Sequence, residues 1–208
     1  YRSGEKLKDY EYLQRSNTEI RKENERLREQ LGFSKNIQYK NIAAQIIGRD
    51  PDSLYSGITI NKGARSGIKN GMPVVAIQNG NIGVVGKIVT VGLGTSLIMP
   101  VYDLQCNISA RVQTSRDLGI IKGQGFLEKP LSLGYIRKTS SMEFQEGDIV
   151  VTSGENGNYT RNIPIGRISK ISVLDYDANL EIEVEPIIDF SRLETVLIID
   201  KDTVNVEK

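Results

Sequence analysis

The sequence predicts a mainly β protein, with an N-terminal coiled-coil α-helix followed by two small six-stranded β-barrels in tandem. Three observations carry this. The apolar period is 3.5 up to residue 31 and 2 from residue 41. Twelve short β-branched runs then follow, each bounded by turn residues. Finally, three segments recur in the same order in both halves of the β region. The expected boundaries are 1–38 for the helix and linker, 39–114 and 115–200 for the barrels, and 201–208 for a C-terminal tail.

The helix comes first. Residues 4–31 are rich in Glu, Arg and Lys and lack Pro. Placing Tyr10, Asn17, Asn24 and Leu31 at the a positions of a heptad puts Leu13, Ile20 and Leu27 at d. Lys6 occupies the d position upstream, where the seam fades, and Gly32 is the expected stop. An asparagine at a can bond its mate across a parallel dimer, whereas another register buries an unpaired amide. Glu23 at g and Arg28 at e are placed for an interchain ion pair. A parallel homodimer is therefore expected, the other reading being a monomeric helix whose Leu/Ile stripe lies on its own domain.

The strands are expected at 41–48, 56–61, 73–77, 82–91, 95–99 and 106–112. A second set is expected at 117–125, 132–137, 148–152, 164–173, 180–187 and 194–199. This density of short strands means a sandwich or barrel. Gly71-Met72-Pro73-Val74-Val75 matches Gly147-Asp148-Ile149-Val150-Val151. Gly86-Lys87-Ile88 matches Gly166-Arg167-Ile168, and Pro100-Val101-Tyr102-Asp103 matches Pro186-Ile187-Ile188-Asp189. The offsets are 76, 80 and 86, a steady growth of the kind that loop insertions leave in a tandem repeat. The boundary at 114 is approximate, since a strand exchanged between the barrels would move it.

Composition excludes much chemistry. The 208 residues are 38% hydrophobic and 25% charged, with net charge +1 and no basic stripe. Nucleic acid is not an expected partner, because phosphate neutralisation needs such a stripe. No run reaches the roughly 18 apolar residues of a membrane span. The chain starts at Tyr1 with no signal-like segment, as if its natural N-terminus lay upstream. There is no His, and Cys106 is the lone cysteine, read as a small buried hydrophobe.

Two six-stranded barrels also form chymotrypsin-like proteases, but that nucleophile needs a histidine base. A Ser–Lys hydrolase remains formally open, although serines such as Ser153 sit in ordinary turn contexts. Gly80–Lys87 fails the phosphate-loop spacing at Asn81 and Ile88 and reads as a strand with a hairpin turn at Asn79-Gly80. Asp175–Asn179 opens like a calcium loop, yet Leu180 and Pro186 stand where Gly and Glu are required. It reads instead as a polar hairpin turn. Asp103 and Asp189 read as one turn used twice, each side chain accepting nearby backbone N–H groups. No catalytic residue, metal or cofactor is expected.

Glu23-Asn24-Glu25-Arg26-Leu27-Arg28-Glu29-Gln30-Leu31 resembles the close of the coiled coil in the rod-shape-determining MreC family. Ile47–Pro51, Ile58–Gly63, Gly67–Val75 and Gly83–Ile88 continue the resemblance. Ser115-Arg116, Gly119-Ile120, Gly147–Gly154, Ile163–Gly166 and Ile188–Glu194 extend it to about residue 200. Tyr55 departs from the Trp expected there. The resemblance implies a non-enzymatic scaffold for cell-wall elongation on the outer, periplasmic side of the cytoplasmic membrane. It implies a single membrane-spanning helix preceding this chain. The implied partners are a class B penicillin-binding protein, RodA, MreD and, through the membrane, MreB. The main alternative is a periplasmic adaptor of an efflux or secretion system, which usually inserts a helical hairpin within its β domains. The turn 50–56, carrying Leu54 and Tyr55, is a candidate contact, the other reading being that Tyr55 covers the end of the first barrel.

Overall fold

A computed structural model describes the backbone of residues 2–36, 39–49, 57–137, 143–155, 159–174 and 176–204. Side chains are described for 4–21, 40–49, 57–137, 143–155, 159–174 and 176–200. The chain divides into two compact units, Tyr1–Gln38 and Tyr39–Lys208.

The first unit is helix α1 (Arg2–Asn36). Its Glu, Lys, Arg, Gln and Leu residues all lose little rotamer freedom in a helix. Gly32 does not stop it, contrary to expectation: the helix continues to Asn36. A glycine inside a helix costs only about 1 kcal/mol, which the residues around it can absorb.

The second unit contains β1 (Tyr39–Arg49), β2 (Ile58–Ile60), β3 (Pro73–Gln78), β4 (Asn81–Val91), β5 (Ser96–Pro100) and β6 (Asn107–Val112). It continues with β7 (Leu118–Lys122), β8 (Leu131–Gly134), β9 (Ile149–Thr152), β10 (Pro164–Val173), β11 (Leu180–Pro186) and β12 (Thr195–Val204). They form two closed antiparallel barrels, in the orders β1-β12-β3-β4-β5-β2 and β10-β11-β8-β7-β6-β9. Alternation places one face of each strand inside. Ile58, Ile60, Ile88, Ile98, Val196 and Ile198 fill the first barrel, and Ile108, Ile121, Leu131, Leu133, Ile168 and Ile182 the second, all at most 2% exposed. Asn79 and Gly80 take φ of 50° and 75° between β3 and β4, the left-handed pair that a two-residue hairpin needs.

The partition of strands corrects the expected boundaries at 114 and 200. β6 belongs to the second barrel, between β7 and β9, and β12 to the first, between β1 and β3. The expected tail from 201 is strand as far as Val204, which pairs with Tyr39. The exchange is reciprocal. Advancing every strand of the first barrel by six, with β12 returning to β6, reproduces the order of the second.

The backbone repeats in the same detail. Gly71 N–H donates to Ile88 O at 2.8 Å, and Gly147 N–H to Ile168 O at 2.8 Å. Ile88 N–H returns to Met72 O and Ile168 N–H to Asp148 O, each at 2.9 Å. Gly86 pairs with Pro100 as Gly166 pairs with Pro186. A Cβ on Gly86 would lie 2.0 Å from Met99 O, and one on Gly166 2.1 Å from Glu185 O. These two glycines are therefore required by close approach of the neighbouring strand.

After each such hairpin the chain crosses to the other barrel through the turn expected at Asp103 and Asp189. Asp103 Oδ1 accepts from Gln105 N–H at 2.8 Å, and Asp189 Oδ1 from Ser191 N–H at 3.1 Å. The Ser191 hydroxyl and N–H hold the Asp189 carboxyl below its usual range. Around the crossovers the barrels join. Tyr102 meets Phe190 edge to face at 5.0 Å. Gln78 donates to Asp189 O at 2.9 Å and accepts from its N–H at 2.7 Å. The Arg49 guanidinium donates to the carbonyls of Phe190 and Leu193.

Cys106 follows the first crossover and is fully buried. Burial pushes its thiol up to about 11, against smaller lowering by Tyr159 and Lys87, and Asp103 adds slightly to the rise. Burial likewise raises the Tyr159 and Tyr102 hydroxyls. The Tyr159 hydroxyl faces the thiol, in a contact that falls short of hydrogen-bond geometry.

Two predictions follow from this packing. Gly86→Ala and Gly166→Ala should each cost about 3 kcal/mol in urea unfolding, because overpacking moves backbone. Gly71→Ala has open space but φ of +87°, so it should cost only about 1–2 kcal/mol. Equal losses at all three positions would show that contact is not the reason for Gly86 and Gly166. The second concerns pH. Thiol and phenol pKa values are raised on folding, so their contribution is complete below the unfolded values of 9.0 and 10.0 and is lost as pH rises. Melting temperature should begin to fall near pH 9 and fall more steeply above 10. Cys106→Ala should remove the early onset and leave the later fall, as a pH series of thermal melts would read.

Candidate interaction site

Three regions bear on contact with other molecules. The first is the seam of α1. Tyr10, Leu13 and Ile20 are 70%, 58% and 56% exposed, and Asn17 is exposed beside them. These apolar side chains stand on a helix whose described neighbours, residues 4–21, are exposed apart from half-buried Ser16. The side chains of Glu23, Asn24, Leu27, Arg28 and Leu31 lie outside the described residues, so the proposed ion pair does too.

The second is the β1–β2 connection, where Leu54 and Tyr55 also lie outside the described residues. Its counterpart in the repeat is the β7–β8 connection, residues 123–130, because β7 stands between β6 and β8 as β1 stands between β12 and β2.

That counterpart forms the third region. Gly123 has backbone so close beneath it that a Cβ would lie 2.1 Å from Asp103 O. Gly125 takes φ of +91°, and its N–H donates to Tyr102 O at 2.8 Å. Both glycines thus seat the loop on the first crossover turn. A Cβ on Gly125 would meet Leu104 Cγ at 2.9 Å, so Leu104 lies over the loop. The seating leaves Leu104 71%, Phe126 59% and Leu127 39% exposed, three large apolar residues together at one end of the second barrel. Lys129 Nζ stands 5.1 Å from the Phe126 ring centroid, and its N–H donates to Phe126 O at 3.2 Å. Lys122 Nζ, at the end of β7, lies 5.6 Å from the ring of Tyr135, which follows β8 and is itself 62% exposed. Each ammonium over a ring holds the aromatic in place and shields one face.

This patch was not singled out from the sequence. A usable signal existed in Gly123-Gln124-Gly125-Phe126-Leu127, where two close-approach glycines precede two large apolar residues. The other half hides the same position: Phe190, which follows Asp189 as Leu104 follows Asp103, is 1% exposed.

The residues weighed for chemistry have structural employment. Asp103 and Asp189 hold their turns. Asp177 Oδ1 accepts from Asn179 N–H at 3.0 Å within the β10–β11 hairpin. Ser153 is buried, with its hydroxyl accepting from Glu155 N–H at 3.2 Å. The site is a surface of loops and rings, suited to contact.

Residues 46–200 match the family described as rod shape-determining protein MreC, barrel core. The cell shape-determining proteins MreC of Bacillus subtilis and Geobacillus stearothermophilus are each 29% identical over 197 residues, spanning 91% of this chain and 67% of theirs. The chain thus spans about two thirds of the length of these relatives. A solved MreC structure aligns with TM-score 0.76 at 25% identity, covering 87% of this chain and 99% of that one. MreC of Listeria monocytogenes aligns with TM-score 0.69 at 28% identity, covering 96% and 94%. A structure of a complex between penicillin-binding protein PBP2 and MreC from Helicobacter pylori shares the fold, with TM-score 0.56 at 18% identity over 78% of this chain and 99% of that one. The 155 residues of the barrel core that match, together with relatives spanning nine tenths of the sequence, place this chain in the MreC family of cell shape-determining proteins.

Proposed function

We propose that the chain is a non-enzymatic scaffold of the cell-wall elongation complex, which maintains rod shape by organising peptidoglycan synthases. Family membership favours this reading over the adaptor and hydrolase readings. In this proposal the barrels lie on the outer side of the cytoplasmic membrane, and a single membrane-spanning helix precedes the chain. A class B penicillin-binding protein docks on the barrels, with RodA, MreD and MreB in the same assembly.

The observation that carries the docking is the Leu104, Phe126 and Leu127 cluster. Exposed aromatic and aliphatic anchors at a loop-built end are where interface energy concentrates. The Helicobacter pylori neighbour, a complex with a penicillin-binding protein, supports the choice of occupant. Lys129 and Lys122 stand beside the rings, so an apolar partner segment edged by carboxylates fits best.

The test uses the purified class B penicillin-binding protein of the same bacterium and surface plasmon resonance. Leu104→Ser with Phe126→Asp should weaken binding at least about 10-fold, since truncating an interface anchor costs upward of 1.4 kcal/mol. The melting temperature should change little, because both side chains are exposed. Leu54→Ser with Tyr55→Asp tests the counterpart loop. Unchanged binding by the first variant would move the interface away from this end.

Self-association is proposed through α1 as a parallel homodimer, with Asn17 and Asn24 at a and Leu13, Ile20 and Leu27 at d. Three heptads are near the lower limit for a stable pair in water, and tethering to a membrane would raise their effective concentration. Leu13, Ile20 and Leu27 changed together to Ala should give a monomer with the parent's barrel stability. Asn17→Ile with Asn24→Ile should strengthen association while loosening register and copy number. Sedimentation equilibrium reads both; a triple variant that associates as well as the parent would remove the seam from the dimer contact.

A further inference from the structure

The reciprocal exchange of β6 and β12 has a consequence for how the chain holds together. Residues 39–113 alone supply β1 to β6. Five of these belong to the first barrel, in the order β3-β4-β5-β2-β1, and leave a slot between β1 and β3. β12 fills it, pairing Ile198 with Ile42 on one side and with Val74 on the other. Val196 and Ile198 bring no exposed surface into it. The remaining segment has the mirror deficiency. Its slot lies between β7 and β9 and is filled by β6, which pairs Ile108 with Ile121 and Val112 with Val150. Ile108, Ala110 and Val112 are buried there to within 1%.

Neither half can close a barrel from its own strands in this arrangement. Each presents two unpaired edges beside an open core, and each carries a donor strand that its own turn sends outward. The turns are the equivalent ones at Asp103 and Asp189, so slot and donor occur in the same places in both halves. The facing strands are equivalents as well: β4 and β10 lie against each other across the junction, as a two-fold relation between the halves requires.

We propose that the chain is a fused, strand-exchanged pair of half-length units, and that each slot is an interaction surface whose fitting partner is the last strand of another such half. The peptide link between β6 and β7 is dispensable for the assembly. Association comes from two inserted strands, each supplying ladder hydrogen bonds on both edges and an apolar face to a core. The reading is independent of the proposed function and of α1.

The experiment cuts the full folded chain. A viral-protease recognition sequence is placed between Thr114 and Ser115, in the turn joining β6 to β7, and the purified protein is cleaved under native conditions. The cleaved protein should elute in one peak at the volume of the uncut protein and melt in one transition. Its two fragments should part only in denaturant. Amides of Ser109–Val112 and Val196–Ile199 should keep the exchange protection they have in the uncut chain. Two peaks in native buffer, or loss of the folded signal on cleavage, would overturn the proposal. So would fragments that stay together while those two strands lose protection, since packing of contiguous barrels would then be what joins them.

Discussion

Closure of each barrel depends on a strand that arrives from the other half, and the rest of the molecule is arranged around that dependence. Without that strand an open five-stranded sheet would expose two rows of unpaired N–H and C=O groups beside a core of Val and Ile, the condition that leads to edge-to-edge association. Delivering β12 between β1 and β3 and β6 between β7 and β9 closes both barrels. The delivery runs through two tight turns, whose aspartates satisfy the backbone amides two residues on. Gln78 and Arg49 fasten the second turn to the first barrel through backbone groups. Because those contacts use main-chain atoms, they specify the position of the turn more than the identity of its side chains.

With the described strands closed into barrels, the surface proposed for contact with other proteins is one of loops and outward-facing side chains. Here the departure of the repeat from symmetry matters more than the repeat. The residue after Asp189 is Phe190, packed edge to face on Tyr102 inside the junction. The residue after Asp103 is Leu104, which lies over Gly125 and remains in solvent with Phe126 and Leu127. The residue after one crossover aspartate thus joins the core, and its equivalent stays on the surface. Exposed apolar groups of this size bring little folding energy to the isolated chain, which is why the proposed docking is placed on them.

The helix obeys a different constraint. Its described side chains apart from Ser16 are exposed, including Leu13 and Ile20, so its stability as an isolated element rests on propensity and on pairs along its own surface. Asparagines at a positions are poor core residues for a monomer and useful ones for a two-stranded seam, where register must be set. Scaffold and stalk are in this sense separable problems.

Much of this was legible in the residues. A period of 3.5 followed by a period of 2 separates helix from strands, Asn79-Gly80 demands its hairpin, and the spaced Gly and Pro motifs announce a duplication with Asp103 and Asp189 in equivalent turns. These are local properties, decided by φ preferences, alternation and hydrogen bonds within a few residues. The partition of the strands was not legible. The alternation of β6 or β12 declares that one face is buried, yet Ile108 or Ile198 would be equally content inside either barrel, so the expected boundary at 114 followed chain order. The stop expected at Gly32 failed for a related reason, since a single glycine weakens a helix by less than its neighbours sustain it. Exposure of Leu104 beside burial of Phe190 was likewise beyond reach, as the two follow the same turn. What the sequence by itself determined is therefore which segments are helix or strand and where they turn. Which barrel each strand closes, and which apolar residues stay exposed, was decided only by the tertiary structure, because both depend on neighbours beyond the local sequence, as β12 beside β1 and β3 shows.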